Sequence, residues 1–286
     1  MKNEKICVVG DGLAGLTTAF ILSKLNIDID LYISKKKVKK QDNRITAISD
    51  SNYKILTQSD FLFKKKLFWS CNKIHLFNEN NNQLSNFLNL NENKKKLMHI
   101  FENDKFKKEL LKKIKLKKIN IRKLSIKNIN SEKGYIAIKK SKKYYDLIIL
   151  CLGARSKIYD SVSSSRKISK DYREVAISGK IKHSLEINNP SQYFLKEGPL
   201  AFLPYKKNEF SYVWSLKKIF YENNHKNLRK LVNEKINSLL STKKILKTSL
   251  IQSYPIHLSL RKNYYNNKVL ILGEGLHTVH PIAGQG

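Results

Sequence analysis

Carboxylates are scarce in this chain. Its 286 residues hold 23 Asp and Glu against 56 Lys and Arg, a formal net charge of +33. Two readings of that imbalance stand side by side. A surface this basic suits nucleic acid or an anionic membrane. Equally, Lys, Asn, Ile and Tyr are abundant everywhere and stand where acids would, as an AT-rich coding bias produces, which spreads Lys over every solvated face. Aromatics are not interleaved with the lysine runs in a nucleic-acid module pattern, so no specific nucleic-acid partner is expected. Cysteine is sparse too: Cys7, Cys71 and Cys151 are widely spaced and odd in number. That excludes a disulfide framework and argues against zinc; reduced, buried thiols of a cytoplasmic protein fit better. Long apolar runs are missing, and none approaches the ~20 residues that span a bilayer. The opening "MKNEKICVVG" enters a strand without the apolar core of a signal peptide. The expected location is therefore cytoplasmic, with peripheral attachment at the inner membrane open to so basic a chain. No Ser/His/Asp set, no paired carboxylates and no internal repeat stand out.

What is present suffices for one large domain or two coupled ones, with an ordinary 41% of hydrophobic residues. Ile6 to Val9, the glycines after it, Leu16 to Leu25 and Ile29 to Ile33 spell a β-α-β unit. Lys73 to Leu90 predicts a hairpin around an Asn-rich turn. Asn103 to Ile114 predicts a helix with Phe106, Leu110, Leu111 and Ile114 on one face and Asn103 or Asp104 at its cap. Tyr145 to Leu152 is apolar almost throughout, as a central parallel strand would be. Ser156 to Tyr172 is polar and Ser-rich, a crossing between domains. Short strands are expected from Glu174 to Lys217, one helix from Lys226 to Leu246, broken near Ser241, and a last strand from Val269 to Leu272.

Gly10-Asp11-Gly12-Leu13-Ala14-Gly15 fits G-x-G-x-x-G between strand and helix. The first glycine permits the tight turn, the second lets backbone approach a pyrophosphate, and the third lets helix and strand pack closely. The helix N-terminus then faces the anion. An acidic residue should follow at the end of the second strand, to bind the adenosine ribose. Counting 23 on from Gly10 reaches Ile33, with Ser34 next, and no carboxylate is there.

Three further stretches carry a resemblance. They are "DNRITAIS" (Asp42 to Ser49), "DLIILCLGARSKI" (Asp146 to Ile158) and "VLILGEGLHTVHPIAGQG" (Val269 to Gly286). They are similar to the arginine segment, the mid-chain Asp-Gly motif and the Gly-Asp motif with its flavin-ring loop in the FAD-dependent aromatic monooxygenases. "LMHIFENDKFKKELLKKI" and "EGPLAFLPYKKNEFSYVWS" resemble the ubiquinone-biosynthesis hydroxylases among them, relatives of para-hydroxybenzoate hydroxylase. The resemblance implies an α/β fold: a Rossmann-like FAD-binding domain interrupted by a mixed-sheet substrate domain. It places FAD-binding parts at 1–72, 101–170 and 266–286, a substrate-side hairpin at 73–100 and the substrate domain at 171–265. It implies FAD as cofactor and NAD(P)H as electron donor. Reduced FAD and O2 would give a flavin hydroperoxide that hydroxylates a polyprenylated aromatic substrate, in association with a membrane or a ubiquinone-biosynthesis complex.

Residue by residue, Gly10, Asp11, Gly12, Leu13, Ala14 and Gly15 would face the FAD pyrophosphate. Arg44 would lie against the flavin nucleotide; a surface arginine of a basic protein is the alternative. Pro281, Gly284 and Gly286 would approach the isoalloxazine ring. Gly273 and Glu274 stand for the family's Gly-Asp, with one methylene more. Leu152 and Gly153 stand for its Asp-Gly, so that carboxylate is gone. Glu274, His277 and His280 are spaced by three, but Gly275 and Pro281 argue against a helix that would make them metal ligands. Tyr193, Phe194, Phe202, Tyr212 and Trp214 suit either a substrate pocket or a strand-packed core. The lost carboxylates make a non-catalytic flavoprotein the rival reading, and a basic membrane or polyanion binder the third. In the resembled family a helix follows the Gly-Gln-Gly loop. Here the sequence ends at Gly286, so an untethered loop from Ala283 and no turnover by the isolated chain are expected.

Overall fold

The computed structural model describes residues 4–34, 42–58, 65–81, 83–124, 126–138, 141–162, 167–241 and 245–281. The chain divides into two compact units, one of residues 1–41, 106–170 and 258–278, the other of 42–105, 171–257 and 279–286. Segment 42–72, assigned from sequence to the cofactor side, thus falls with the second unit, as does the 73–100 hairpin.

The first unit is built on a six-stranded sheet in the order Tyr265–Asn266, Val269–Ile271, Leu147–Leu150, Lys5–Val9, Asp28–Ile33, Ile119–Lys123. All neighbours are parallel except the first pair. The central strands are apolar in sequence because both faces are covered. Cys7, Val8, Leu31, Ile148 and Leu150 are all buried. Helix Leu13–Leu22 follows the first strand and buries Gly15, Leu16, Ala19 and Phe20. Helix Asn103–Lys115 buries Phe106, Leu110 and Ile114, as its spacing predicts, while Leu111 of the same predicted face is half-buried. A small sheet, Ser141–Tyr144, Tyr135–Ile138 and Asn128–Asn130, adds Ile129, Ile136 and Ile138 to the core around Cys7, Tyr32 and Tyr145.

The second unit contains the antiparallel run Lys167–His183, Glu209–Lys217, Gly198–Lys206 and Ser191–Leu195. The sheet continues in parallel to Lys73–Asn80 and then through the predicted hairpin to Gln83–Asn91. Its core joins Tyr193, Phe202, Phe210, Tyr212 and Trp214 to Val232 and Ile236 of helix Leu228–Leu239. A three-stranded sheet, Ile45–Ser49, Met98–Glu102 and Trp69–Cys71, packs Ile45, Ala47, Met98 and Ile100 with Leu203 and Tyr205.

Three sequence expectations need correction. The polar crossing is half structured: helix Ile158–Val162 buries Tyr159 and Val162, and Lys167 already begins a strand. That strand runs 17 residues, not a short element, because paired neighbours extend it. The long helix is a helix Lys218–Asn224, a 3-10 turn His225–Asn227 and helix Leu228–Leu239. It stops where Ser241 takes a left-handed φ of 46°. Ile245–Thr248 is a strand instead, with Thr248 opposite Ile181. Among the described residues no helix is long and apolar enough to cross a membrane.

A buried carboxylate sits inside the first unit. Asp30 is 1% exposed. Its Oδ2 accepts 2.6 Å from the Tyr145 hydroxyl, which lies 2.9 Å from the Tyr32 hydroxyl. Arg122 Nε stands 3.0 Å from the same oxygen as an ion pair, without hydrogen-bond direction, and Oδ1 has no hydrogen-bond partner among the described residues. Burial pushes the Asp30 carboxyl up, but Tyr145, Arg122 and Lys143 outweigh it and hold it below the usual range. A depressed folded value gives stability that is present above the unfolded value near ~3.9 and lost as pH falls through the folded one. Tyr145→Phe should therefore cost about 1–3 kcal/mol at neutral pH. The deficit should shrink below about pH 4, as urea titrations of both proteins across pH would show.

Candidate functional site

The site lies at the C-terminal ends of the parallel strands of the first unit, where three loops meet. The first is the glycine turn. Gly10 has φ +137°, and a Cβ there would sit 2.2 Å from the Cys151 carbonyl oxygen. A Cβ on Gly15 would sit 2.3 Å from the Gly10 carbonyl oxygen. These two glycines are demanded by the protein's own backbone. Gly12 is not. Its φ is −75°, open to any residue, and a Cβ there would meet nothing within 4 Å among the described residues. Gly12 is also the N-cap of helix Leu13–Leu22, and no side chain caps that end. The first N–H groups of the helix are left for an anion, with the helix dipole behind them.

The second loop leaves strand Leu147–Leu150. Cys151 N donates to the Val9 carbonyl at 2.8 Å, and the Cys151 thiol is pushed up to about 11 by burial, only partly offset by Thr18. Leu152 packs its side chain against the core. Its carbonyl accepts from the Tyr159 hydroxyl at 2.5 Å. Burial is also the main reason the Tyr159 hydroxyl titrates above its ordinary range.

The third loop follows strand Val269–Ile271. Gly273 has φ +69°, and a Cβ on it would stand 3.1 Å from Ala14 Cβ, so this loop touches the first helix turn. The Glu274 carboxylate reaches the second loop: its Oε2 lies 3.8 Å from where a Cβ on Gly153 would be. Gly275 lies against the Tyr159 ring, where a Cβ would fall 2.1 Å from the hydroxyl. Arg261 closes the arrangement, with Nε donating to the Gly275 carbonyl at 2.9 Å and its guanidinium 5.1 Å from the Tyr159 ring centroid. Tyr159 and Arg261 are the residues that sequence reasoning missed. Neither belongs to a glycine motif, and only the fold brings them to one.

The structure thus gathers Gly10, Asp11, Gly12, Leu13, Ala14, Gly15, Gly273 and Glu274 at one crevice. Ile33 ends the neighbouring strand, opposite Lys123, and Ser34 follows it. Arg44 belongs to the second unit. It forks onto Asp42, with Nε and Nη2 each 2.9 Å from a carboxylate oxygen. Burial raises the Asp42 carboxyl, but Arg44 more than reverses this. His280 Nε2 lies 2.7 Å from Glu174 in that unit, and Pro281 follows it. Gly284 and Gly286 lie outside the described residues. The aromatics Tyr193, Phe202, Tyr212 and Trp214 are core, and Phe194 is 38% exposed.

A family model described as "FAD binding domain" matches residues 3–286. The fold is similar to that of pqsL, a probable FAD-dependent monooxygenase from Pseudomonas aeruginosa. Identity is 13% and the TM-score 0.81, over 100% of this chain and 82% of that one. It is similar to p-nitrophenol 4-monooxygenase from Pseudomonas putida at 15% identity and TM-score 0.80, covering 99% of this chain and 75% of the other. A tryptophan 6-halogenase from Streptomyces toxytricini aligns at 11% identity and TM-score 0.77, over 99% and 70%. No curated protein sequence matches the chain.

The glycines separate by what needs them. Gly12→Ser gives the helix a better cap at no steric cost, so the melting temperature of the ligand-free protein should hold or rise. The added side chain would occupy the approach to the N–H groups, and FAD affinity by fluorescence titration should fall ~10-fold or more, about 1.4 kcal/mol. Gly10→Ala should do the reverse in kind, destabilising the fold itself by about 1–3 kcal/mol or more.

Proposed function

The chain belongs to the FAD binding domain family, with the para-hydroxybenzoate-hydroxylase-like fold of mixed α/β sheets, and we propose that it is an FAD-dependent monooxygenase hydroxylating an aromatic ring. The observation that supports this reading most is Gly12. Its glycine serves neither backbone conformation nor packing, and it stands at an uncapped helix end, which fits close approach of a pyrophosphate. FAD, when bound, would supply the redox chemistry that activates O2. The chain's own part is binding and placement. The N–H groups beginning helix Leu13–Leu22 would hold the pyrophosphate. Glu274, near Gly153, can accept from a ribityl hydroxyl. Tyr159 and Arg261 hold the loops of Leu152 and Gly275 in register, without the carboxylate that Leu152 replaces.

The finer reading is a polyprenylated ubiquinone precursor as substrate and NAD(P)H as donor. Its support is the resemblance of the segments that form strand Met98–Glu102 with helix Asn103–Lys115 and the hairpin of Gly198–Lys206 with Glu209–Lys217. A purified protein should be yellow, oxidise NAD(P)H faster when given a polyprenylated phenol, and release the hydroxylated phenol by mass spectrometry. A colourless protein that FAD in excess does not activate favours the non-catalytic reading. A yellow protein that turns over only phenols without the tail would remove the ubiquinone branch and keep the reaction. A lysine-rich surface also suits peripheral attachment to anionic membranes, each Lys near the surface contributing about 1 kcal/mol. Co-sedimentation with phosphatidylserine vesicles should be strong at low salt and lost at high salt; absence of binding at low salt would leave the charge without that role.

A further inference from the structure

We propose that Ser70, His99 and Asp50, in the second unit, form a nucleophile–base–orienting relay that accepts the acyl group of a small activated carboxylic ester and releases it to water. This activity is separate from the cofactor crevice of the first unit. The sequence gives no motif for it, because His99 is 29 residues from Ser70 and 49 from Asp50. The sheet makes the site. Ser70 lies directly opposite His99 across antiparallel strands, and Asp50 follows the strand on the other side of His99, its N–H 3.3 Å from the Leu97 carbonyl. Ser70 Oγ is 2.8 Å from His99 Nδ1, and His99 Nε2 is 3.0 Å from Asp50 Oδ1.

The direction of the proton relay follows from the donors available. Lys54 Nζ sits 2.6 Å from the other Asp50 oxygen. The hydrogen bond from Lys54, then that from His99, hold the Asp50 carboxyl below its usual range. An ionised carboxylate only accepts, so Nε2 carries the imidazole proton. Nδ1 then presents its lone pair to Ser70, whose hydroxyl donates. That tautomer makes His99 a general base toward Ser70. The ring is also clamped: Tyr53 stacks on it at 3.7 Å with planes 12° apart, and Phe68 meets Tyr53 edge-on at 5.0 Å. His99 is buried while Ser70 is exposed, so the base is fixed and the nucleophile is reachable.

In the reaction, Ser70 Oγ forms a bond to the ester carbonyl carbon and its proton passes to His99 Nδ1. The bond from that carbon to the ester oxygen breaks, and the leaving alcohol takes the proton. Water then attacks the acyl carbon, giving up a proton through His99 to Ser70 Oγ, and the carboxylic acid departs with no net redox change. Ser70 lies on a strand, not at an elbow before a helix, so among the described residues no converging helix N–H groups await the oxyanion. Turnover should lie about 10²–10³-fold below that of a complete esterase site, which restricts substrates to small esters with good leaving groups.

The 286-residue protein treated with a fluorophosphonate should lose fluoride and gain one phosphonyl group on Ser70, located by peptide mass spectrometry. Ser85 is the internal reference, an exposed strand serine bonded to the Asn78 carbonyl and, among the described residues, to no base. Ser70 should react ~100-fold faster than Ser85, the low end of general-base assistance. p-Nitrophenyl acetate should acetylate Ser70 and be slowly hydrolysed. Ser70→Ala should abolish both while leaving FAD retention unchanged. Asp50→Asn, whose amide can donate to Nε2 and move the proton to Nδ1, should slow Ser70 labelling, and Asp50→Glu should restore part of it. Equal rates at Ser70 and Ser85 in the unmutated protein would overturn the proposal whatever the variants do. So would an unslowed Ser70 in a folded Asp50→Asn protein.

Discussion

Everything at the crevice depends on one close approach of backbones. The Gly10 α-carbon stands so near the Cys151 carbonyl that no side chain fits, and Gly15 stands equally near the Gly10 carbonyl. The turn is tied on both sides: Gly10 N donates to the Tyr32 carbonyl at 3.0 Å, and Cys151 N to the Val9 carbonyl at 2.8 Å. Three parallel strands are thereby pinned at their C-terminal ends, and the helix after the turn is aimed. A sheet alone would fix the strand spacing but not the direction of that helix. Two glycines without side chains fix it, and the third, Gly12, is not needed for it.

The lost carboxylates bear on how such a crevice is held. Leu152, which the sequence resemblance alone matches to the family's aspartate, contributes its side chain to the core and its carbonyl to Tyr159. Tyr159 in turn fills the space that Gly275 leaves, and Arg261 ties the Gly275 carbonyl. A buried tyrosine and a guanidinium thus perform the loop-holding part of a motif whose acid is absent. In the function proposed above, the ligand-binding part falls to Glu274. Carboxylates are rare in this chain, and the most buried of those described, Asp30, is spent inside the first unit, where Tyr145 donates to it and Arg122 and Lys143 pair with it. Its role there is structural, because burial without those donors would favour its neutral form.

The fold does not by itself choose a reaction. Proteins whose descriptions include two monooxygenases and a halogenase share it with this chain at 11–15% identity. A shared fold leaves the reaction to the side chains around the reacting atoms. Here the buried aromatics of the second unit form its core, so aromatic content gives no measure of a substrate site.

The sequence by itself determined the β-α-β unit, the central strand after Tyr145, the helix from Asn103 and the hairpin from Lys73, because each rests on local periodicity or turn chemistry. It determined the glycine motif too, since steric demands on backbone are written in the residues that lack side chains. Gly273 and Glu274 were legible only through resemblance. The tertiary structure decided the rest. It turned Ile245–Thr248, beyond the break that the sequence places near Ser241, into a strand, because pairing with a neighbour far along the chain outweighs local preference. It made core of Phe202 and Trp214, since alternation along a strand does not say which face a helix will cover. It brought Tyr159 to Gly275 and His99 between Ser70 and Asp50. Those contacts join residues far apart in the chain, and side-chain chemistry at such separations is fixed by sheet register, which no short stretch of sequence encodes.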